Sequence, residues 1–425
     1  MSSAVAGSNY TIVKGDTLWD IAAQVYGSGQ QYTIIWDANK TTLRSGDPNR
    51  IYPGEQLWIP PKPNTAGSYE GWRLRQTGSG GGPQYPDGKF TLLLDGQEVD
   101  VTEASFLSTL DTPADGWKAN IRFDSKDNRL RELIKPYGYQ DSQIFIGKHD
   151  MGKMKLYDVT MNWDNTSSKA SLAGFSPTAD ILDCVSEPSF KAKNIFLKDW
   201  ITKLVAPYGI SVTYKPKDKK IRKIKIDKSQ TIGGHIDKWV KQRGHVWAND
   251  RDGNIIIFDV EEPTEISGTF SEDEGTNLEG GSISFLGRKR FKKVLGYSSK
   301  PRKHNSFTHL FAFLKSNRVS AVVVDATDDS DIEEAVTKLA KESINNALSI
   351  SIPTREWYND FGELWEVGQY VTVHSPKMFL DRKMTLLIKA VEYTISGTSR
   401  KCNLTVCPPS LYIQGEVEDP WNLAQ

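Results

Sequence analysis

Between Arg75 and Gly88 the chain reads Arg-Gln-Thr-Gly-Ser-Gly-Gly-Gly-Pro-Gln-Tyr-Pro-Asp-Gly, with too little apolar matter to order itself. Whatever folds on either side of this run must therefore find its own core. The run sets the first boundaries: a small N-terminal module, residues 1–62, a flexible linker, residues 63–88, and a large body. A chain of 425 residues exceeds what a single hydrophobic core serves, so the body is itself expected to divide.

In the module, Tyr10-Thr11-Ile12-Val13 alternates like a strand and Lys14-Gly15-Asp16-Thr17 turns into a helix. Leu18, Ile21, Ala22 and Val25 recur at helical spacing, with Asp16 or Thr17 available as N-cap and Gly27 as terminator. Ile34, Ile35 and Ala38 suggest a second short helix, and Gln56 to Pro60 a returning strand after the turn at Pro53-Gly54. The order is β-α-α-β. Through Tyr10-Thr11, Gly15 to Ala22, Asn39, Ile51-Tyr52-Pro53-Gly54 and Leu57 to Pro60 the segment resembles LysM domains. In that family glycans lie between the loop after the first strand and the loop after the second helix. The resemblance implies docking positions at Gly15, Asp16, Thr17 and Leu18 on one side and Asn39, Ile51 and Pro53 on the other. The same residues have structural work open to them, Gly15 and Asp16 in the turn and cap, Leu18 and Ile51 in a tiny core. The polar insertion Thr41 to Arg50 resembles LysM domains attached to phage-tail proteins, which implies a protein partner rather than peptidoglycan.

The body is strand-rich at both ends. Phe90 to Leu94, Gly116 to Phe123, Ser142 to Gly147, Lys155 to Trp163 and Lys169 to Phe175 read as strands, and Asn128 to Lys135 as a helix stopped by Pro136-Tyr137-Gly138. This predicts a first β-barrel or sandwich domain over 89–188. Residues 189–262 repeat a helix-then-strand pattern: Phe196, Trp200, Leu204 and Val205 before Ile210 to Tyr214, then Ile232, Ile236, Trp239 and Val240 before His245 to Ala248 and a hairpin at Asp250-Arg251-Asp252-Gly253. Residues 263–410 return to strands, Val319 to Val324, Tyr370 to His374, Met384 to Ile395 and Lys401 to Cys407, around one helix with Ser330 and Glu333 as capping box. Residues 411–425 form a tail. The fold class is multidomain α+β, a small β-α-α-β domain followed by two β domains flanking a helix-strand α/β domain.

That order, and above all the block Glu363-Leu364-Trp365-Glu366-Val367-Gly368-Gln369-Tyr370-Val371-Thr372-Val373 followed by Pro376 and Asn403 to Pro409, resembles the baseplate hub proteins of contractile phage tails and related injection particles. The resemblance implies tail-tube-like β domains, a homotrimer whose paired domains make a pseudo-sixfold ring, and a place joining the tail tube to the central spike. It implies the tube or tube-initiator protein, the spike, a wedge or sheath component held by the LysM domain, and the tape measure protein as partners. The competing expectation, from the LysM domain alone, is a peptidoglycan-binding protein or cell-wall hydrolase.

Fifty-three basic residues balance fifty-three acidic ones, so no global field draws the chain to nucleic acid. Lys215 to Lys225 holds seven basic residues, Arg288 to Lys303 eight, and Glu261 to Glu279 seven acids. Such blocks are solvated loops or complementary patches on neighbouring subunits. The basic runs interleave few aromatics, Phe291 and Tyr297, which argues against specific nucleic-acid binding. The six histidines never take a metal-ligand spacing, and no nucleophile elbow, Walker loop or dinucleotide fingerprint occurs. Neither enzyme activity, metal nor cofactor is expected. Cys184 reads as a buried strand thiol; Cys402 and Cys407, five apart in a strand, point to opposite faces and do not pair. Met1 to Ser8 lacks a leader's charge and apolar run, and no stretch approaches the roughly 20 apolar residues of a membrane span. The expectation is a virion tail component assembled in the host cytoplasm without a membrane anchor.

Overall fold

The computed structural model describes residues 8–26, 32–40, 43–48, 50–59, 88–164, 168–186, 192–224, 226, 229–263, 265–272, 278, 280–299, 305–324, 329–354, 356–359 and 361–413. The expected linker up to Asp87, the terminator Gly27 and the tail from Gln414 lie outside them. The chain divides into two units, Met1–Ala66 and Gly67–Gln425.

In the first unit, β1 (Ser8–Thr11) runs antiparallel to β2 (Gln56–Ile59), and α1 (Leu18–Tyr26) and α2 (Tyr32–Asn39) come between them in sequence. Tyr10, Ile12, Leu18, Ile21, Ala22, Ile35, Leu43, Leu57 and Ile59 make the core. Ala38, read as an apolar-face residue, is exposed. The cap is Thr17: its hydroxyl accepts from the Asp20 amide at 3.0 Å.

The body begins with β3 (Phe90–Leu94), β4 (Gln97–Val99), β5 (Val101–Thr109), β6 (Gly116–Arg122), α3 (Asn128–Leu133), β7 (Asp141–Ile146), β8 (His149–Trp163), β9 (Ser168–Phe175) and α4 (Ala179–Asp183). The Asp127 carboxylate caps α3 by accepting from Leu130 N at 3.0 Å. The middle holds β10 (Ala192–Phe196), α5 (Leu197–Val205), β11 (Val212–Tyr214), β12 (Lys220–Ile224), α6 (Ile232–Gln242), β13 (Val246–Asn249) and β14 (Ile255–Phe258). Strand β11 lies parallel and β13 antiparallel to β14, and α5 and α6 share with them a separate core around Trp200, Ile201, Ile236 and Ile257. Phe196 is no part of that core stripe. It stands at the N-cap position of α5 without a capping side-chain bond and stays 40% exposed, and Asp218 accepts from the amides of Leu197 and Lys198 at 3.2 and 2.9 Å.

The last third holds β15 (Gly268–Ser271), β16 (Ser282–Phe285), β17 (Lys293–Ser298), β18 (Phe307–Leu310), β19 (Val319–Val324), α7 (Asp329–Ala347), β20 (Leu348–Thr354), β21 (Tyr370–Ser375), β22 (Leu380–Ser396) and β23 (Ser399–Cys407). Helix α7 starts at Asp329, so Ser330 lies inside its first turn and not at its cap, and Asp329 and Asp331 supply the acidic charge that suits a helix N-terminus. The helix packs on β17, where Gly296 lets it approach: a Cβ there would stand 2.3 Å from Val336.

The two strand-rich regions are not separate sheets. Ala390–Ser396 of β22 pairs antiparallel with Glu103–Thr109 of β5, which joins them into one 13-stranded sheet over one continuous core. Along it the order β16-β20-β23-β22 is followed by β5-β6-β9-β8. The second set repeats the first. Leu387, Ile388 and Ala390 face Cys407, Val406 and Thr405 as Lys155, Leu156 and Asp158 face Phe175, Gly174 and Ala173, so both hairpins carry a bulge at the same place and superpose at one constant offset. In each, the first half of the long strand pairs on its other side, with β21 in one case and β7 in the other.

The β13–β14 hairpin fastens the middle region to both ends. Gly253, at φ 82°, closes its turn, and Asp250 Oδ1 accepts from the amides of Asp252 and Asn254 at 2.9 and 2.7 Å. Arg251 donates from Nη1 to the Asp150 carbonyl and from Nη2 to Glu366 Oε1 at 3.0 Å, while its own carbonyl accepts from Lys153 N at 2.7 Å. Gly152 is required opposite it, since φ is +105° and a Cβ would lie 2.7 Å from the Arg251 oxygen.

Cys184 is not in a strand. It follows α4 and is half-buried, whereas Cys402 and Cys407 are buried; all three are free. Burial pushes the Cys407 thiol up to about 12 and the Cys402 thiol higher still. Iodoacetamide at pH 8 is therefore expected to modify native protein at Cys184 alone and unfolded protein at all three, read by peptide mass mapping. Arg251 and Glu366 have side chains 13% and 14% exposed. Arg251→Ala removes the guanidinium that joins the Asp150 carbonyl to Glu366, and urea unfolding should register a loss of about 3 kcal/mol, against a smaller loss for Glu366→Gln, which keeps the hydrogen bond.

Candidate docking surfaces

In the LysM-like unit, β1 delivers the chain to a loop at Val13–Thr17 and β2 is entered from a turn at Tyr52–Glu55. Backbone bonds lock the two together: Ile12 N to Glu55 O at 3.0 Å and Gly54 N to Ile12 O at 2.8 Å. Asp16 closes the first loop, its Oδ2 accepting from Val13 N at 2.8 Å and Tyr10 Oη at 2.9 Å. Burial first, then this carboxylate, raises the Tyr10 pKa, so the phenol remains a donor. Glu55 holds the inserted segment, accepting from Arg44 N at 3.0 Å and Tyr52 N at 3.1 Å.

The seven positions named from sequence separate accordingly. Gly15, Thr17 and Pro53 are exposed and Asp16 half-buried; Ile51 is half-buried against the core and Leu18 is fully inside it. Gly15 has φ +103° with open space where a Cβ would point, so its absence of side chain serves the turn. Asn39 is interior. Its Nδ2 donates to the carbonyls of Ile35 and Trp58 at 2.7 Å each, and its Oδ1 accepts from Trp58 N at 2.8 Å, so it ties α2 to β2. The structure brings the Gly15 loop beside Pro53 and leaves Asn39 behind them as a fastener. Trp19, Tyr52 and Trp58 stand in the LysM motif but outside the seven docking positions, and they are 51%, 46% and 40% exposed. The alternation Leu57-Trp58-Ile59 was the available signal, because it turns the indole outward from a strand whose other face is core.

In the body, the Trp-Gly-valine block is interior. Leu364, Trp365, Val367, Tyr370, Val371 and Val373 are buried, Trp365 packs 5.7 Å from Phe270, and the amide of Gly368, at φ 85°, donates to Ile388 O at 2.6 Å. The basic runs are partly absorbed. Lys220 lies 5.1 Å over Phe196 and Arg290 stacks 4.5 Å over Phe311. Lys225, Lys300, Arg302, Lys303, Asp273, Glu274 and Glu279 lie outside the described residues. Among the described residues no group of histidines, cysteines and carboxylates is arranged to hold a metal ion, and no helix is long and apolar enough to cross a membrane.

Three family models match. LysM covers residues 10–60, the second domain of baseplate hub protein gp44-like covers 178–259, and the fourth domain of Mu phage baseplate assembly protein GpP covers 333–414. The 43 kDa tail protein of prophage MuSo2 from Shewanella oneidensis is similar in structure, with TM-score 0.66 and 19% identity over 76% of this chain and 99% of that one. A tail protein from Neisseria meningitidis MC58 aligns with TM-score 0.65 and 16% identity over 76% and 97% of the two chains. At such identities the likeness is one of fold. Among curated proteins, potassium binding protein Kbp of Escherichia coli is 49% identical over 57 residues, 13% of this chain and 37% of that protein. The protein YqbP of Bacillus subtilis is 37% identical over 65 residues, 14% and 30%. The chain spans about a third of the length of these two relatives. With hub and baseplate-assembly models on its middle and last regions, a LysM model at its start and a tail-protein fold across the body, the chain is a baseplate-hub-like structural protein of a phage-type tail carrying an N-terminal LysM domain.

Proposed function

We propose that this chain is the hub subunit of a contractile tail, a homotrimer whose ring joins the tail tube to the central spike, assembled in the host cytoplasm. The observation that carries the reading is the repeated four-strand set within one sheet. Three copies would present six similar units to a sixfold tube while keeping threefold symmetry for a spike. The tube or tube-initiator protein, the spike and the tape measure protein are the partners this places nearby. The polypeptide contributes position rather than chemistry.

The LysM unit serves as a clamp for a neighbouring wedge or sheath component. Gly15, Asp16, Thr17 and Pro53 line the contact with Tyr52, while Leu18, Ile51 and Asn39 hold the loops in place from within. A domain on a tether of this length works at raised effective concentration near its target, so a weak contact suffices. Retention on purified peptidoglycan with loss of no tail component would instead favour a glycan-binding role.

Sedimentation of purified protein is expected to give three times the 47.6 kDa chain mass; a species that remains at one chain mass, and is missing from isolated tails, would sink the hub reading. Removing residues 1–62 should leave that mass ratio unchanged and cost the particle one wedge or sheath component, read by mass spectrometry of purified baseplates. Within the unit, Asn39→Ala strips Trp58 N and two carbonyls of their partner and should destabilise the LysM fold by about 2 kcal/mol, whereas Pro53→Ala should weaken docking without changing melting.

A further inference from the structure

The internal seam between β22 and β5 has a counterpart that the chain does not fill by itself. Past its bulge, β22 is sandwiched between β23 and β5, with Val391 opposite Ser108 and Tyr393 opposite Phe106. Past its own bulge, β8 has β9 on one side and, among the described residues, no strand on the other. At the far end of the eight-strand run, β16 has β20 on one side and, among the described residues, no strand on the other.

The equivalences can be read through the ladders. On the long strand, the superposed hairpins put Val159 where Val391 is, Met161 where Tyr393 is and Trp163 where Ile395 is. On the other margin, Trp117 faces Gly174 and Phe106, and Ile350 faces Val406 and Ile283. Gly174 and Val406 hold the same place, so Phe106 and Ile283 do as well, and Ser108 corresponds to Phe285. We propose that the open margin of β8 past its bulge pairs antiparallel with Ser282–Phe285 of a second copy of this chain, Met161 opposite Ile283 and Val159 opposite Phe285, in the register of the internal seam. The inference rests on the ring reading above and adds to it which strands meet and in what register.

Three further observations bear on it. Val391, Tyr393, Phe106 and Ser108 are fully buried at the internal seam, while Val159, Met161 and Ile283 are half-buried, Phe285 is 49% exposed and Trp163 79% exposed. Pairing would give the second set the burial of the first. Between Asp158 at the bulge and Asp164, Val-Thr-Met-Asn-Trp at 159–163 carries no charge, and neither does Ser-Ile-Ser-Phe at 282–285, in a chain with 25% charged residues, where a solvent-facing edge ordinarily carries lysine, acid or proline along its length. Lastly, a contact between two different edges is head-to-tail, which propagates in one direction and ends only when a ring closes.

The test is one chain carrying Met161→Cys and Ile283→Cys, with Cys184→Ser to remove the half-buried native thiol. Seven strand spacings separate β8 from β16, about 34 Å along the sheet, so the pair cannot bridge within a chain. Directly opposed antiparallel residues of two copies lie within disulfide reach. Mild oxidation is expected to give covalent multimers that a reductant dissolves, with a shifted pair, Met161→Cys and Phe285→Cys, giving at least about tenfold less. Oligomers of normal mass in which the matched pair links no better than the shifted one would overturn the pairing and leave the ring standing. A chain monomeric at every concentration would overturn the ring and the pairing together. Amide exchange of 158–163 and 282–285 in the unmodified protein supplies a readout independent of variant folding: slowing on assembly supports the proposal, unchanged rates on assembly refute it.

Discussion

Everything in the body depends on a backbone ladder between residues almost three hundred positions apart, Glu103–Thr109 against Ala390–Ser396. Without it, the strands on either side would be two open sheets with apolar margins. Closing so long a loop has an entropic cost that rises only slowly with length, and the buried residues along the seam offset it. A polar knot pins the junction. Lys389, the bulged residue of β22, donates from Nζ to Asn345 Oδ1 at 3.0 Å and lies 3.5 Å from Asp111, which also accepts from the Tyr412 hydroxyl. Burial, then the neighbouring Cys407 and Asp111, raises the Tyr412 pKa far above the usual phenol range, so this donor stays protonated. The bulge thus does two things: it turns β22 from β21 toward β5, and it aims an ammonium group at the start of the next connection.

The same logic explains why the middle region is a brace. Its helices keep a core of their own with one face of the β13–β14 hairpin, while Val246, Ala248, Ile256 and Phe258 on the other face belong to the core of the sheet. Specific polar contacts add direction to that apolar attachment. Arg251 reaches Asp150 in one set of strands and Glu366 in the other, and Asn249 donates to Asp115 at 3.2 Å. A hydrophobic interface would tolerate sliding, while a guanidinium bound at both ends does not. That rigidity suits a subunit whose two strand sets must keep a fixed relation for any ring to close.

Periodicity resolved those elements whose apolar residues follow a simple rule. Leu18, Ile21 and Ala22 place a helix, and Ile255 to Phe258 a buried strand, because each pattern maps onto one exposure. Strand β5, reading Val-Thr-Glu-Ala-Ser-Phe-Leu-Ser-Thr, was not legible: its inward Ala104, Phe106 and Ser108 include small and polar side chains that become interior only once β22 lies beside them. Strand β20, Leu-Ser-Ile-Ser-Ile-Pro-Thr, was hidden by its serines and proline. Asn39 was named for docking by the LysM resemblance alone, and its role as an internal fastener exists only when α2 and β2 meet.

What the amino-acid order determined alone was local: the turn at Gly15, a helix start at Asp16 or Thr17, the hairpin at Asp250 to Gly253 and the LysM signature. Those follow from φ preferences, short-range hydrogen bonds and the spacing of apolar residues, all of which act within a few positions. The joining of two strand regions into one sheet, the doubling of its four-strand order and the open margins at Asp158–Trp163 and Ser282–Phe285 were decided by tertiary structure. They depend on which edge meets which across hundreds of residues, and the cross-strand side-chain pairs that select an edge exist only once the two edges meet.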